Sequence, residues 1–318
     1  MFRSILAGWL ALAAAAPQET TIKTTVPLVV APATVTDRAG KYVDGLRAQD
    51  FVLYDNRVVQ KIDVETVYTP IALVAAVQSS EISAAALAKI RKIGSMIEPL
   101  VVGSGGEAAV VTYADEVRTV QEFTGDPWKL VRTFRALECR GAGSRMIDAV
   151  TAGVRLLAAR PADRRRVLLV VGESRDRSSE TSLQDAVTLA QRENVTVYTL
   201  TWSAMLTPFT AKPGTAPPAG DGGMNLLAIF TEIARLGAQN AAEVLAGYTG
   251  GRHLSFLKQK ALETAVARIG EELHSQYLLS FSPALSADEE YHRIQVRVVN
   301  RPELVVRSRP GYWMATSR

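Results

Sequence analysis

The sequence predicts an α/β protein in which a doubly wound, mostly parallel sheet is inserted in a small β-sandwich-like module. Three observations carry that reading. The stretches Ile71–Val77 (IALVAAV) and Val167–Val171 (VLLVV) are apolar without alternation, the mark of strands covered on both faces. Between residues 70 and 275, such runs alternate with segments carrying one apolar stripe at helical spacing. Before and after that region the pattern reverts to short strands and turns.

The 318 residues are 47% hydrophobic and 21% charged, which excludes a disordered chain and a polytopic membrane protein. Thirty-six basic against thirty-two acidic residues leave +4, spread along the chain, so a nucleic-acid-binding role is not expected. One cysteine, Cys139, excludes a disulfide scaffold and any cysteine-built metal site. It is expected to be buried, because the helix before it contributes Phe134 and Leu137.

In chain order, MFRSILAGWLALAAAA reads as a signal peptide over residues 1–15: one positive charge, a short apolar run and small residues at its end. Export to the periplasm or outside the cell is therefore expected, with no membrane span after cleavage. Residues 16–68 form the first part of the β module. Pro27 and Pro32 predict an edge strand there, Asp37–Gly40 a hairpin turn, and Asp50–Asp55 and Gln60–Val64 two strands around Asn56. Residues 69–275 form the α/β domain. Its further strands are expected at Ala108–Tyr113, a hairpin partner at Val117–Phe123, then Val195–Thr201 and Arg252–Phe256. Its helices are expected to carry stripes through Leu87, Ile90, Gly94 and Ile97, over Met146–Ala159, after a capping box at Thr181–Gln184, over Leu226–Tyr248, and through Leu262–Leu273. Residues 276–318 complete the β module with Tyr277–Ser282, Tyr291–Val299 and Leu304–Ser308. In the second of these, Ile294, Val296 and Val298 face one way and the polar residues the other.

Doubly wound sheets bind ligands beyond the carboxyl ends of their strands. That draws attention to the loops Gln78–Ser83, Gly141–Arg145 and Gly172–Ser179, and to the Pro-rich segment 203–224, which reads as a disordered insertion or a functional lid.

The strand ending in Gln78-Ser79-Ser80-Glu81-Ile82-Ser83, the segment Gly143-Ser144-Arg145-Met146-Ile147-Asp148, and VLLVVGESRDRSSE resemble a von Willebrand factor type A domain. Val43-Asp44-Gly45-Leu46, Ser275–Leu279 and Arg309–Trp313 extend the likeness to the VWFA-related exported proteins of acidobacteria. The resemblance implies a divalent cation held by an Asp-x-Ser-x-Ser loop, a Thr and an Asp, through which a partner's carboxylate is received. This sequence departs from that pattern. Gln78 stands at the first Asp and Ile82 at the second hydroxyl; Ser80 is kept, Ser144 stands for the Thr, and Glu173 occupies the third loop. Mg²⁺ or another divalent cation would have only Ser80, Ser144 and Glu173, so the expected reading is a degenerate site; the alternative is a cation-dependent adhesin whose loop is rearranged to the triplet Ser79, Glu81 and Ser83. The protein is then a non-enzymatic, adhesion-type module binding a protein partner through an edge formed by Gln78, Ser80, Glu81, Ser144, Arg145, Glu173 and Arg175. Arg140 and Arg177 lie on the same loops, and an Arg-rich edge could receive carboxylates directly.

Other motifs carry less. Gly172-Glu173-Ser174-Arg175 follows a strand like a nucleophile elbow, which would make Ser174 a hydrolase nucleophile. It lacks the second glycine, and neither His253, His274 nor His292 is placed as its base. The run Arg164–Arg166 is expected to be a solvated strand entrance.

Overall fold

The computed structural model describes residues 28–65, 69–202, 226–283 and 291–313; the expected signal peptide and the segment 203–224 lie outside the described residues. The chain begins with β1 (Val29–Thr36), β2 (Phe51–Asp55), β3 (Val58–Gln60) and β4 (Asp63–Glu65). The α/β region follows as β5 (Ile71–Gln78), α1 (Ala84–Met96), β6 (Glu107–Tyr113), β7 (Val117–Thr124), α2 (Pro127–Arg135), α3 (Met146–Ala158), β8 (Arg165–Gly172), α4 (Leu183–Arg192), β9 (Thr196–Trp202), α5 (Leu226–Thr249), β10 (His253–Phe256) and α6 (Gln259–His274). The chain closes with β11 (Tyr277–Phe281), β12 (Tyr291–Val298), β13 (Val305–Ser308) and β14 (Gly311–Trp313).

The central sheet has six strands in the order β10-β9-β8-β5-β6-β7. All pair in parallel except β7, which is a hairpin partner of β6. All eight residues of β5 are buried, because alternate side chains enter two different cores. Leu73, Ala75 and Val77 pack with α1 and α6, and Ala72, Val74 and Ala76 with α3, α4 and α5. A strand sealed on both faces has no polar side to show, which is why its sequence does not alternate.

The N- and C-terminal strands pair with each other in two four-stranded antiparallel sheets, β13-β1-β11-β4 and β14-β12-β2-β3. Val29, Ala31, Ala33 and Val35 from one sheet meet Leu53, Ile294 and Val296 from the other in a third core. Asn56 and Arg57, both at positive φ, turn β2 into β3.

Several expectations need correction. β1 is an inner strand: it pairs with β11 through Val29–Ala33 and with β13 only from Ala33 onward, so Pro32 sits where one side has no ladder to interrupt. The expected strand Gln60–Val64 is two strands, β3 and β4, in different sheets, since the chain crosses the sandwich between them. Helix α5 is two helices across a break at Asn240 (φ −155°, ψ 86°). There Asn240 Oδ1 accepts the Glu243 N–H at 3.0 Å and caps the second half. Helix α4 is capped by Ser182, with Asp185 as its partner, in place of the Thr181–Gln184 box. The arginine run is not a solvated entrance. Arg165 donates to the Leu273 carbonyl at the end of α6, and Arg166 to the Ala158 and Glu193 carbonyls that end α3 and α4. Guanidinium groups there satisfy carbonyls that helix ends leave open.

The β module docks on the amino ends of the strands through a buried charge cluster. Glu272 of α6 accepts from Arg307 of β13 and from the Tyr198 hydroxyl at 2.9 Å, and pairs with Arg252 at 2.8 Å. Arg307 also reaches Thr34 of β1 at 3.1 Å. Burial alone would raise the Glu272 pKa, but Arg307 and Arg252 hold it below the usual carboxylate range. A depressed folded pKa contributes stability that is complete above the unfolded value and lost as pH falls through the folded one. Urea unfolding of Glu272→Gln at neutral pH is expected to show a loss of about 1–3 kcal/mol, because two partly buried arginines lose the buried anion they share. The difference from wild type should shrink as the pH falls below about 4.

Candidate functional site

The carboxyl ends of the parallel strands form a rim, and the strand order reverses at β5, between β6 and β8. In chain order the sheet reads 3-2-1-4-5-6, so the crevice expected for a ligand lies at the ends of β5 and β8. Gln78 ends the first and Gly172 the second.

The rim loops are bonded to one another. The Arg140 N–H donates to the Ser79 carbonyl at 2.5 Å, and the Glu81 N–H to Gly141 at 2.9 Å, which joins the first loop to the second. The Arg177 N–H donates to the Ser144 carbonyl at 3.1 Å and the Ser144 N–H to Ser178 Oγ at 3.2 Å, which joins the second to the third. Asp115, which the sequence reading missed, holds the second loop from beneath by accepting the Gly143 N–H at 2.7 Å and the Ala142 N–H at 3.2 Å.

The third loop also caps α3. Arg145, the residue before that helix, makes no side-chain cap. Instead Asp176 Oδ1 accepts the Ile147 N–H at 3.0 Å and Ser179 Oγ the Asp148 N–H at 3.0 Å. Both satisfy donors that a helix start leaves open. Asp148 answers in the other direction, accepting from the Thr181 N–H at 2.9 Å, the Glu180 N–H at 3.1 Å and Arg145 Nε at 2.7 Å. Burial raises its pKa, yet these hydrogen bonds outweigh burial and bring it to about 2.

Each residue expected at the edge can now be placed. Gln78, Ser80 and Ser144 are buried, Glu173 is mostly covered, and Glu81 and Arg175 are exposed. Gln78 Oε1 accepts the Glu173 N–H at 2.7 Å, while Nε2 donates to Ser80 Oγ at 2.9 Å and lies 3.5 Å from Glu173 Oε2. The Ser144 hydroxyl turns to the Arg175 carbonyl at 3.5 Å. The arginines are unequal. Arg145 is occupied by Asp148 and Glu180, each at 2.7 Å. Arg177 pairs with Glu173 at 3.3 Å and Arg140 with Glu138 at 3.2 Å. Arg175 has no ion-pair partner among the described residues. Cys139 is half-buried, not buried, packed against the core at the point where the chain leaves α2 for the rim.

Hard divalent cations want oxygen ligands. Here the place nearest both the Ser80 hydroxyl and the Glu173 carboxylate is taken by Nε2, whose hydrogens oppose a cation. Among the described residues, no group of three or more His, Cys, Asp or Glu side chains could hold a metal. Nor does any described histidine bond Ser174: His253 contacts Thr199 at 2.9 Å and His292 contacts Asp55 at 2.8 Å, in the β module.

A six-stranded sheet in the order 3-2-1-4-5-6, parallel except for its third strand at one edge, decides the architecture. The chain has a von Willebrand factor A-like fold. No protein-family model matches it, and no curated protein does. Solved structures that match include an aerotolerance-related membrane protein from Bacteroides fragilis, at 12% identity over 63% of this chain and 98% of that one, with a TM-score of 0.44. A von Willebrand factor type A protein from Catenulispora acidiphila matches at 10% identity over 81% of this chain and 71% of that one, with a TM-score of 0.47. Proximal thread matrix protein 1 of the mussel byssus, described with a zinc-occupied MIDAS motif, matches at 12% identity over 68% of this chain and 49% of that one, with a TM-score of 0.46.

Gly172 is required by this von Willebrand factor A-like rim. A Cβ there would overlap the Tyr113 hydroxyl and stand 3.0 Å from Gln78 Oε1. Gly172→Ala is therefore expected to cost about 1–3 kcal/mol in urea unfolding. Adding Tyr113→Phe, which removes the clashing oxygen, should recover part of that loss, and a strictly additive double mutant would show that the two do not meet. Asp148→Asn should lower stability at neutral pH. Its deficit should fade as pH drops from about 4 toward 2, where the wild-type carboxylate also gains its proton.

Proposed function

We propose that this chain is an exported, non-enzymatic interaction module that binds a protein partner directly with the carboxyl-end rim of its sheet, without a bridging cation. The carrying observation is that the rim loops are joined to each other by backbone hydrogen bonds while they present unpaired side chains outward. Glu81 and Arg175 are exposed charges without an ion-pair partner among the described residues. Ile82, next to Glu81 in the first rim loop, exposes 53% of its surface. An apolar anchor with flanking charges on a preformed surface suits recognition of a protein. It does not suit chemistry, for which nucleophile and base must lie within hydrogen-bond reach.

The apolar leader over residues 1–15 supports export, and among the described residues no helix is long and apolar enough to cross a membrane. The dispersed +4 charge argues against nucleic acid.

The test is affinity capture from the envelope fraction and growth medium of the native host. The wild-type chain is compared with Ile82→Asp and with Arg175→Glu, both at exposed positions that the fold does not use. A protein retained by wild type should be reduced at least about tenfold by each change, the loss of roughly 1.4 kcal/mol or more at an interface anchor. Retention should persist in EDTA. Equal retention by all three chains would place the binding surface elsewhere, and loss in EDTA would restore a cation to the interface.

A further inference from the structure

Gln78 is wholly buried at the end of a strand whose other seven residues are apolar, and a docking surface gives no reason for an amide there. The amide is engaged at both ends. Its oxygen accepts the Glu173 N–H at 2.7 Å, which settles which end is oxygen and which is nitrogen. Its nitrogen then donates to Ser80 Oγ at 2.9 Å and faces Glu173 Oε2 at 3.5 Å. Both targets are oxygens, one from the first rim loop and one from the third. The NH₂ group, with its two partly positive hydrogens, thus lies between a hydroxyl and a carboxylate.

We propose that the Gln78 amide is a built-in substitute for a rim cation: a fixed neutral donor that ties the first loop to the third and keeps the rim assembled in the absence of any ion. Gln78 is then a positioning residue. The inference concerns how the rim is held, and stands or falls apart from whether a protein docks on it. It also accounts for Gly172, whose missing side chain leaves room for the amide oxygen to reach the Glu173 N–H.

Because the amide fills the ion's place, one substitution should reopen it. Gln78→Asp removes both N–H donors and sets a second carboxylate beside Glu173, with the Ser80 hydroxyl between them. Like charges so placed repel, and a divalent cation relieves the repulsion. The purified mature chain and its Asp variant are melted in EDTA and in millimolar Mn²⁺ or Mg²⁺, and Mn²⁺ binding is followed by calorimetry. In EDTA the variant should melt several degrees below wild type. Divalent cation should restore most of the difference with about one Mn²⁺ bound, since a ligand of the native state raises its stability. The wild-type chain should bind no Mn²⁺ and show no shift.

One Mn²⁺ bound by wild type, or a folded variant that neither weakens in EDTA nor responds to cation, would overturn the proposal. Should the variant fold only when Mn²⁺ is added, that rescue supports it. Should it fold under neither condition, Gln78→Met decides, since it keeps the volume and lacks the donors. Backbone amides of residues 173–179 should then exchange at least tenfold faster than in wild type, and unchanged exchange would refute the role.

Discussion

The strand Ile71–Gln78 has no face in water, and much of the molecule follows from that constraint. Its alternate side chains build the two cores on either side of the central sheet. It is flanked in parallel register by β6 and β8 along nearly its whole length. At its carboxyl end the chain must change from a dry interior to a surface loop within one or two residues. Polar atoms at that transition cannot rely on solvent and need partners within the protein. The Gln78 amide meets this requirement completely, using a backbone N–H, a hydroxyl and a carboxylate. The neighbouring Tyr113 phenol, whose pKa is pushed up by burial and by the charges of Asp176 and Glu173, occupies the space that a side chain at position 172 would need.

The two edges of the sheet are treated in opposite ways. At the amino ends of the strands, arginines dominate. Arg165 and Arg166 close helix ends, Arg307 and Arg252 meet Glu272, and Arg309 reaches the Gln191 carbonyl at the end of α4. Arg309 is buried, and burial draws its pKa down to about 10 although the Tyr291 and Tyr312 rings favour its charge. These groups carry the junction with the β module, so that edge is occupied. The carboxyl edge has no such module seated on it among the described residues. Its described loops bond each other and leave Glu81, Ile82 and Arg175 exposed.

How far these features can be read from residues alone depends on the range of the interaction. Strands such as Ile71–Val77 and helices with one apolar stripe declare themselves, because burial imposes a local period. The pairing of terminal strands across the chain follows from the same logic, since neither group could build a core alone. The break in α5 and the cap of α4 are local adjustments, Asn240 to Glu243 and Ser182 to Asp185, but the larger errors involve distant partners. Pro32 marked an edge only as long as the partial reach of β13 was unknown. The arginine run looked solvated because the helix ends it caps are brought to it by the fold. At the rim, the three loops and the substitution of Gln78 were visible. Asp115 and Asp176 were not, because their roles consist of accepting backbone N–H groups of segments roughly thirty residues away. An isolated aspartate in a loop carries no sign of such a task. Arg145 shows the converse: a cation in a candidate site reads as available until its two carboxylates are seen.

Those bonds also determine how the rim can respond to a partner. The third loop supplies the caps of α3 through Asp176 and Ser179, and its Ser174 carbonyl accepts the Ala242 N–H of α5 at 3.3 Å. Displacing it would therefore expose two helix starts as well as the amide of Gln78. Each lost cap costs on the order of 1 kcal/mol, and a buried donor left unpaired costs about 1–3 kcal/mol more. Few surface contacts could offset that sum. A partner that docks here thus meets loops that are already in place, and loses little affinity to ordering them. Side chains of Glu81, Ile82 and Arg175 remain free to adjust, because none of them contributes to the network beneath.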